Sequence, residues 1–488
     1  MPKPKQFLKE NKKKSKHAPS APTTADEYLA AGVDFEEAGE KWRGGDAAKS
    51  TRFFVRAIDC YEDALKKFPH SFDLAYNKAR LQYELTQHPK LLQQLPGSLL
   101  ELLQTAIESS RYALKLNEQN ADVLFNTAQA LTSYVEALQD ASNATDPLPF
   151  LEEALELFQK CLEYQELQHR EFRVQAKAAA AQETDTDDGG VSLTTGSTMN
   201  VDSEPAKTDI LRATIIEPVT NPSLLDTIIA QLRTLSLLCS LLPVPSGQAL
   251  QFIQDYATGI IEIKLDAYCI GTGRDIESAL ARDEYFAALS DLQFRNGLLN
   301  VQPYFDIIKQ LYSFPTAQSN PEALVKSAEA RITFHNNVLL YEDTLNLSWE
   351  ALSTALVTLT TASKLPDVEN LAAVHVLRGD VEMLRYQMGQ RGFAAAKKSA
   401  EVLLKNAEVF YRGGKNVARA AAEQGVEGEG AVKEGLVKGL RGDGMGMQGV
   451  FAGMLAGSQG DVVEKMIIEA VEDGVVTREQ LQGLGFAA

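Results

Sequence analysis

Ala57-Ile-Asp-Cys-Tyr61-Glu-Asp-Ala64-Leu65, then Pro69, then Asp73-Leu-Ala75-Tyr-Asn77-Lys-Ala79, is a pattern that occurs twice in this chain. The second copy reads Ala106-Ile-Glu-Ser-Ser-Arg-Tyr-Ala113-Leu114, then Asp122-Val-Leu124-Phe-Asn126-Thr-Ala128. Ala57/Ala106, Ala64/Ala113, Asn77/Asn126 and Ala79/Ala128 keep one constant offset, and Ala154-Leu-Glu-Leu-Phe158-Gln-Lys-Cys161-Leu162 opens a third copy at almost the same stride. Apolar residues recurring every three to four positions make each half of a copy an amphipathic helix, and Pro69 ends the first helix before the second begins. Small side chains two helical turns apart let a neighbouring helix approach closely, while Tyr61 and Phe158 fill the gap between two such contacts. The fold class that follows is all-α, with antiparallel helix pairs stacked along the chain.

A helix pair repeated at constant stride resembles the tetratricopeptide (TPR) family, whose repeat spans roughly 34 residues. The longer stride here is taken up by Gln87 to Ser98 (QHPKLLQQLPGS), where two prolines and a glycine signal a loop. Trp42, Gly44 and Gly45 fall near the places of the family's signature Trp and Gly. The resemblance implies three divergent repeats within residues 26–173 and a TPR-like α-solenoid in which the first helix of each pair lines a concave groove. On that pattern Asp73, Tyr76, Asn77, Arg80 and Tyr83 line the groove from one helix, and Asp122, Phe125, Asn126 and Gln129 from the next. An Asn amide both donates and accepts, which suits an extended peptide backbone, though the same side chains also serve to cap or bridge helices. TPR domains that hold the C-terminal Glu-Glu-Val-Asp of Hsp70 and Hsp90 use a basic clamp. Asn77 matches one clamp position, but the fifth-helix positions fall on Asp122 and Asn126. A carboxylate does not clamp a carboxylate, so the Hsp70/Hsp90 tail is not the expected partner. A helical bundle with alanine-rich seams is the other arrangement these residues allow.

Charge divides the chain unevenly. The formal net charge is −18, while residues 1–17 carry seven Lys against one Glu, about +6, which leaves about −24 on the remainder. An acidic body of this kind repels nucleic-acid phosphates and attracts basic proteins. Residues 1–25 read as a disordered basic tail. Lys12, Lys13, Lys14 and Lys16 within it form a nuclear-localisation candidate, with a solubilising tail or a weak RNA contact as alternatives. The tail has no aromatic residue between its lysines apart from Phe7, so bases find no stacking platform there. Four cysteines lie far apart with no CxxC pair, the usage of a reducing compartment. With no signal-type leader and no apolar run of roughly 18 residues, the expected location is the nucleus, the cytoplasm or both, with neither secretion nor a transmembrane span.

Beyond the repeats, residues 174–209 form an acidic and polar stretch that cannot bury enough apolar surface to order itself. It is expected to be a disordered loop, and Thr184 and Ser203 in it have acidic neighbours of the kind acid-directed kinases accept. Residues 210–412 return to helical periodicity as a degenerate helical-repeat extension, with helices expected from Ser223, Gly247, Asp275, Val301, Pro321, Leu345, Val368 and Gly392 onward. Residues 413–460 hold 14 glycines and are set apart as a Gly-rich segment, because each glycine costs a helix roughly 1 kcal/mol. Residues 461–488 form a short C-terminal helical element with Thr477 as a cap.

No catalytic signature appears. The six histidines show no metal-ligand spacing, and GxSxG, P-loop and HExxH patterns are absent. Gly444-Met-Gly446-Met-Gln-Gly449 matches GxGxxG formally but follows no strand, so it is no dinucleotide fingerprint. The chain reads as non-enzymatic, without catalytic residues, cofactor, metal or small-molecule substrate. The leading function is a protein-binding adaptor or assembly chaperone for a basic client protein. The alternatives are a constitutive structural subunit of a larger nuclear or cytoplasmic complex, and RNA association through the lysine tail.

Overall fold

The computed structural model describes residues 21–140, 145–184, 218–341, 344–366, 368–455 and 460–486. The lysine tail, Ser203 and most of the 174–209 stretch lie outside the described residues. The chain divides into two compact units, Met1–Tyr164 and Gln165–Ala488, and among the described residues both are built from helices without strands.

The first unit contains α1 (Ala25–Arg43), α2 (Ala47–Lys67), α3 (Phe72–Thr86), the single turn α4 (Pro89–Leu92), α5 (Leu99–Leu116), α6 (Ala121–Asp140) and the start of α7 (Leu148–Thr184). Local chemistry sets the starts: Thr24 with Glu27 and Ser98 with Glu101 form reciprocal capping boxes, and Asp46 accepts from the Lys49 N–H. The helices pack as successive antiparallel neighbours, α1 on α2, α3 on α5 and α5 on α6. The small residues that revealed the repeat sit in these seams: Ala57, Ala64, Ala106, Ala113 and Ala128 are 0% exposed. The 87–98 insertion is pinned by α4, whose Leu91 is buried in the same core. Helices α1, α3 and α6 form one layer, and α2, α5 and α7 the other; Arg111 on α5 bonds Glu153 on α7 at 3.0 Å.

In the second unit α7 continues to Thr184, so eleven residues of the expected loop are helical. There follow α8 (Asn221–Leu241), α9 (Gly247–Gly259), a π-helical turn (Ile260–Leu265), α10 (Asp266–Cys269), α11 (Asp275–Arg295), α12 (Val301–Gln310), α13 (Pro321–Val338), α14 (Leu345–Ala362) and α15 (Leu371–Gln390). The chain ends with α16 (Ala394–Lys398), α17 (Ala400–Ala421), α18 (Gln424–Leu440), α19 (Gly444–Leu455), α20 (Gly460–Glu472) and α21 (Arg478–Gly483). The helix starts read from the sequence are met at Gly247, Asp275, Val301, Pro321 and Leu345. Helix α8 corrects one expectation: by length and composition it is long and apolar enough to cross a membrane. Here it is a core helix, with Leu224, Leu225, Ile228, Leu232 and Leu235 buried. Arg295 on α11 satisfies its C-terminal carbonyls, donating to Cys239 O at 2.6 Å and Leu242 O at 3.1 Å.

Among the described residues the Gly-rich stretch is mostly helical, within α17, α18 and α19, and belongs to the core of this unit. A Cβ at Gly414 would come within 2.9 Å of the Ala372 carbonyl, so the absent side chain is what lets α17 lie against α15. Glycine's poor helix propensity is offset there by backbone approach and by apolar burial around Tyr411, Val432 and Leu436. Thr477 caps α21 through a box with Gln480, as read from the sequence.

Candidate functional site

The nine residues assigned to the groove lie on α3 and α6, neighbouring helices of one layer. They are joined by two bonds in the same register. Asn126 Nδ2 donates to Tyr76 Oη at 3.5 Å, and Tyr83 Oη lies 3.1 Å from Ser133 Oγ, a second contact between residues fifty apart in the chain. The rest of the set divides by what it touches. Asn77 donates to the Asp73 carbonyl of its own helix at 2.8 Å, so its amide supports α3. Phe125 is half-buried with its ring edge on Phe158 at 5.6 Å, and Tyr76 stacks on Phe72 at 5.9 Å. Asp73 and Asp122 are exposed, and Gln129 is half-buried. Tyr76 is held neutral by burial first and by the nearby Asp122 carboxylate second, which together raise its pKa.

Arg80 is engaged by its own chain. Its guanidinium donates to Glu36 of α1 and, at 2.9 Å, to Glu84. Burial works against its charge, but these carboxylates outweigh burial and raise its pKa. Glu84 also accepts from Arg43 at 2.5 Å, and Glu36 from the Tyr61 hydroxyl at 2.5 Å. Glu36, Arg43 and Glu84 were missed in the sequence. The only local sign was the pair Gly32 and Gly39, two turns apart on α1, which receive the rings of Tyr61 and Phe54 and so bring α1 onto α2. Trp42 does not act as a seam residue; its ring carries the Lys49 ammonium at 3.3 Å.

The helices of this layer therefore carry half-buried aromatic rings and an excess of carboxylates over Lys41, Arg43, Lys78 and Arg80, of which Lys78 is drawn to Glu62 of α2 at 3.4 Å. Such a face offers stacking surface and hydrogen-bond acceptors. Among the described residues no group of three or more His, Cys, Asp or Glu side chains could hold a metal ion.

No protein-family model matches the chain. A UPF0656 protein of Schizosaccharomyces pombe is 25% identical over 420 residues, spanning 83% of this chain and 86% of that protein. An uncharacterised protein of Saccharomyces cerevisiae is 28% identical over 195 residues, 34% of either chain. Among solved structures, the S. pombe nuclear import adaptor Nro1, a hypoxic regulator of sterol synthesis, aligns over 81% of this chain and 90% of its own. Its TM-score is 0.30 at 12% identity. A circular tandem repeat protein aligns over 92% of this chain and 98% of its own, with a TM-score of 0.27 at 12% identity. At such scores neither alignment transfers a function.

Proposed function

We propose that this chain is a non-enzymatic, TPR-type protein-binding adaptor or assembly chaperone, and that the α1/α3/α6 layer holds a basic segment of its client. The observation that carries the reading is the composition of that layer: Tyr76 and Phe125 are half-buried on helices that also carry the exposed Asp73 and Asp122, and Asp122 acts on Tyr76. Aromatic rings supply contact area at low entropic cost, and the carboxylates favour a cationic partner and speed its encounter. An acidic surface of this kind disfavours nucleic acid, which leaves RNA association to the lysine tail. Nuclear or cytoplasmic residence fits a client made in one compartment and used in the other.

Affinity capture of the intact chain with crosslink mapping tests this. The expected outcome is a basic protein crosslinked between Tyr76 and Gln129, released steeply as salt rises. Crosslinks confined to residues 222–412, or a stoichiometric partner that stays bound at high salt, would replace the reading with that of a constitutive subunit.

A further inference from the structure

The second unit has a cleft of about 750 Å³ at the N-terminal ends of α13 and α15. Its apolar wall comes from Val325, Val374 and Leu377, and it is lined by five carboxylates, Glu322, Glu329, Glu369, Asp380 and Glu429, against one ammonium, Lys326. Lys326 is already engaged, 3.2 Å from Glu329 and 3.8 Å from Glu284. At the floor, Asp380 and Glu429 hold the buried Lys433 at 3.0 and 2.7 Å. Glu322 and Glu369 stand exposed at the rim. The two helix N-termini contribute positive partial charge of roughly half a unit each. Their sum, about one unit, is smaller than the excess of three carboxylates that remains once Lys326 and Lys433 are counted, so the cleft as a whole is electronegative.

We propose that this cleft docks an extended basic segment of a partner protein, with a Lys or Arg side chain between Glu322 and Glu369 and a neighbouring apolar side chain on Val325, Val374 and Leu377. The argument is charge complementarity combined with an apolar wall. A phosphate-bearing ligand meets repulsion from the rim, whereas a long basic side chain places its methylene stem on the valines and its charged head among the carboxylates. The site lies in a different unit from the α1/α3/α6 layer and shares with that reading only the basic character of the partner.

The test uses the full chain and a fluorescein-labelled peptide of alternating Lys, Leu and Arg, followed by fluorescence anisotropy at low salt. Replacing both rim carboxylates, Glu322→Gln with Glu369→Gln, is expected to weaken binding on the order of tenfold. Asp73→Asn with Asp122→Asn, in the first unit, is expected to leave this peptide's affinity in the cleft unchanged. Replacing the peptide's Leu residues by Gly, at constant charge, should weaken it as well. Hydrogen exchange should slow at the first turns of α13 and α15 when the peptide is added, a readout that needs no variant. Unchanged affinity in the rim variant, equal affinity of the glycine peptide, or protection confined to other helices would overturn the proposal. Loss of binding in the Asp73/Asp122 variant alone would assign the peptide to the first unit instead.

Discussion

Both units use one packing device, equally buried at its tyrosine and its acid, and differ in how far its cation is buried. In the first, Gly32 on α1 receives the ring of Tyr61, whose hydroxyl donates to Glu36, and Glu36 in turn accepts from Arg80. In the second, Gly379 on α15 receives the ring of Tyr411, whose hydroxyl donates to Asp380 at 2.8 Å, and Asp380 accepts from Lys433 at 3.0 Å. The Arg80 side chain is 31% exposed, whereas that of Lys433 is 2% exposed. Water reaches the Arg80 guanidinium and is nearly excluded from the Lys433 ammonium, while the acids Glu36 and Asp380 are alike at 14% and 13% exposed. Burial opposes the Lys433 charge, but Asp380, Glu429 and Asp473 more than offset it and hold the ammonium above its ordinary pKa. The comparison teaches that the same notch, tyrosine and acid pair with a water-accessible guanidinium in one place and with a buried ammonium in the other.

The largest expected effect separates the two. Lys433→Met leaves three carboxylates around an uncompensated site and should cost about 3–5 kcal/mol of unfolding free energy, whereas Arg80→Met should cost about 1 kcal/mol or less. Trp42 and Trp349 fall one in each unit, so urea unfolding followed by fluorescence in single-tryptophan backgrounds assigns each loss to its unit. Equal losses would mean that the two ion pairs are solvated alike and would break the comparison.

A middle-sized effect tests what they share. Gly32→Ala and Gly379→Ala each place a Cβ within the ring of the facing tyrosine. Each should therefore cost about 1–3 kcal/mol, through overpacking rather than through charge. If adding the Lys433→Met change leaves the Gly379→Ala cost unaltered, the notch and the ion pair act independently; a strongly non-additive pair sharpens the view of one network.

The smallest effect is a pH dependence confined to the second unit. Glu434 lies on α18, 1% exposed, beside Lys415, Lys438 at 2.9 Å and Arg412 at 3.1 Å. Burial raises its pKa, the three cations outweigh burial, and the net result is a carboxyl brought down to about 2 from 4.5. A depressed carboxyl stabilises the fold fully above its unfolded pKa, and that contribution fades as pH falls from about 4.5 towards about 2. The stability gap between the native chain and Glu434→Gln, followed by near-ultraviolet circular dichroism during urea unfolding, should be constant near neutrality and narrow over that acid range. A gap that widens on acidification would contradict the assignment.

The seams of the first unit were legible because alanine recurring at one offset admits few arrangements other than stacked helix pairs. The helix starts at Gly247, Asp275, Val301, Pro321 and Leu345 were legible from prolines, glycines and capping residues near them, as was the Thr477 cap. The candidate site was legible only in part. Tyr76 and Asn126 could be placed on one layer from the repeat, but that Arg80 is taken by Glu36 depends on how far α1 is drawn in by Gly32 and Gly39. The Gly-rich stretch was misjudged for a similar reason. Helix propensity counts the cost of each glycine within its own helix, and the gain from Gly414 lies in α15, remote in the chain.

By itself, then, the sequence determined that this protein is built from helices, where several of them begin and which small residues face one another. Those properties follow from local periodicity and from capping chemistry within a few residues. Tertiary structure alone decided which charges are shared with water and which are sealed in. Desolvation depends on the helices that close over a side chain, and Asp380, Lys433 and Asp473 meet only after α15, α18 and the end of α20 have packed.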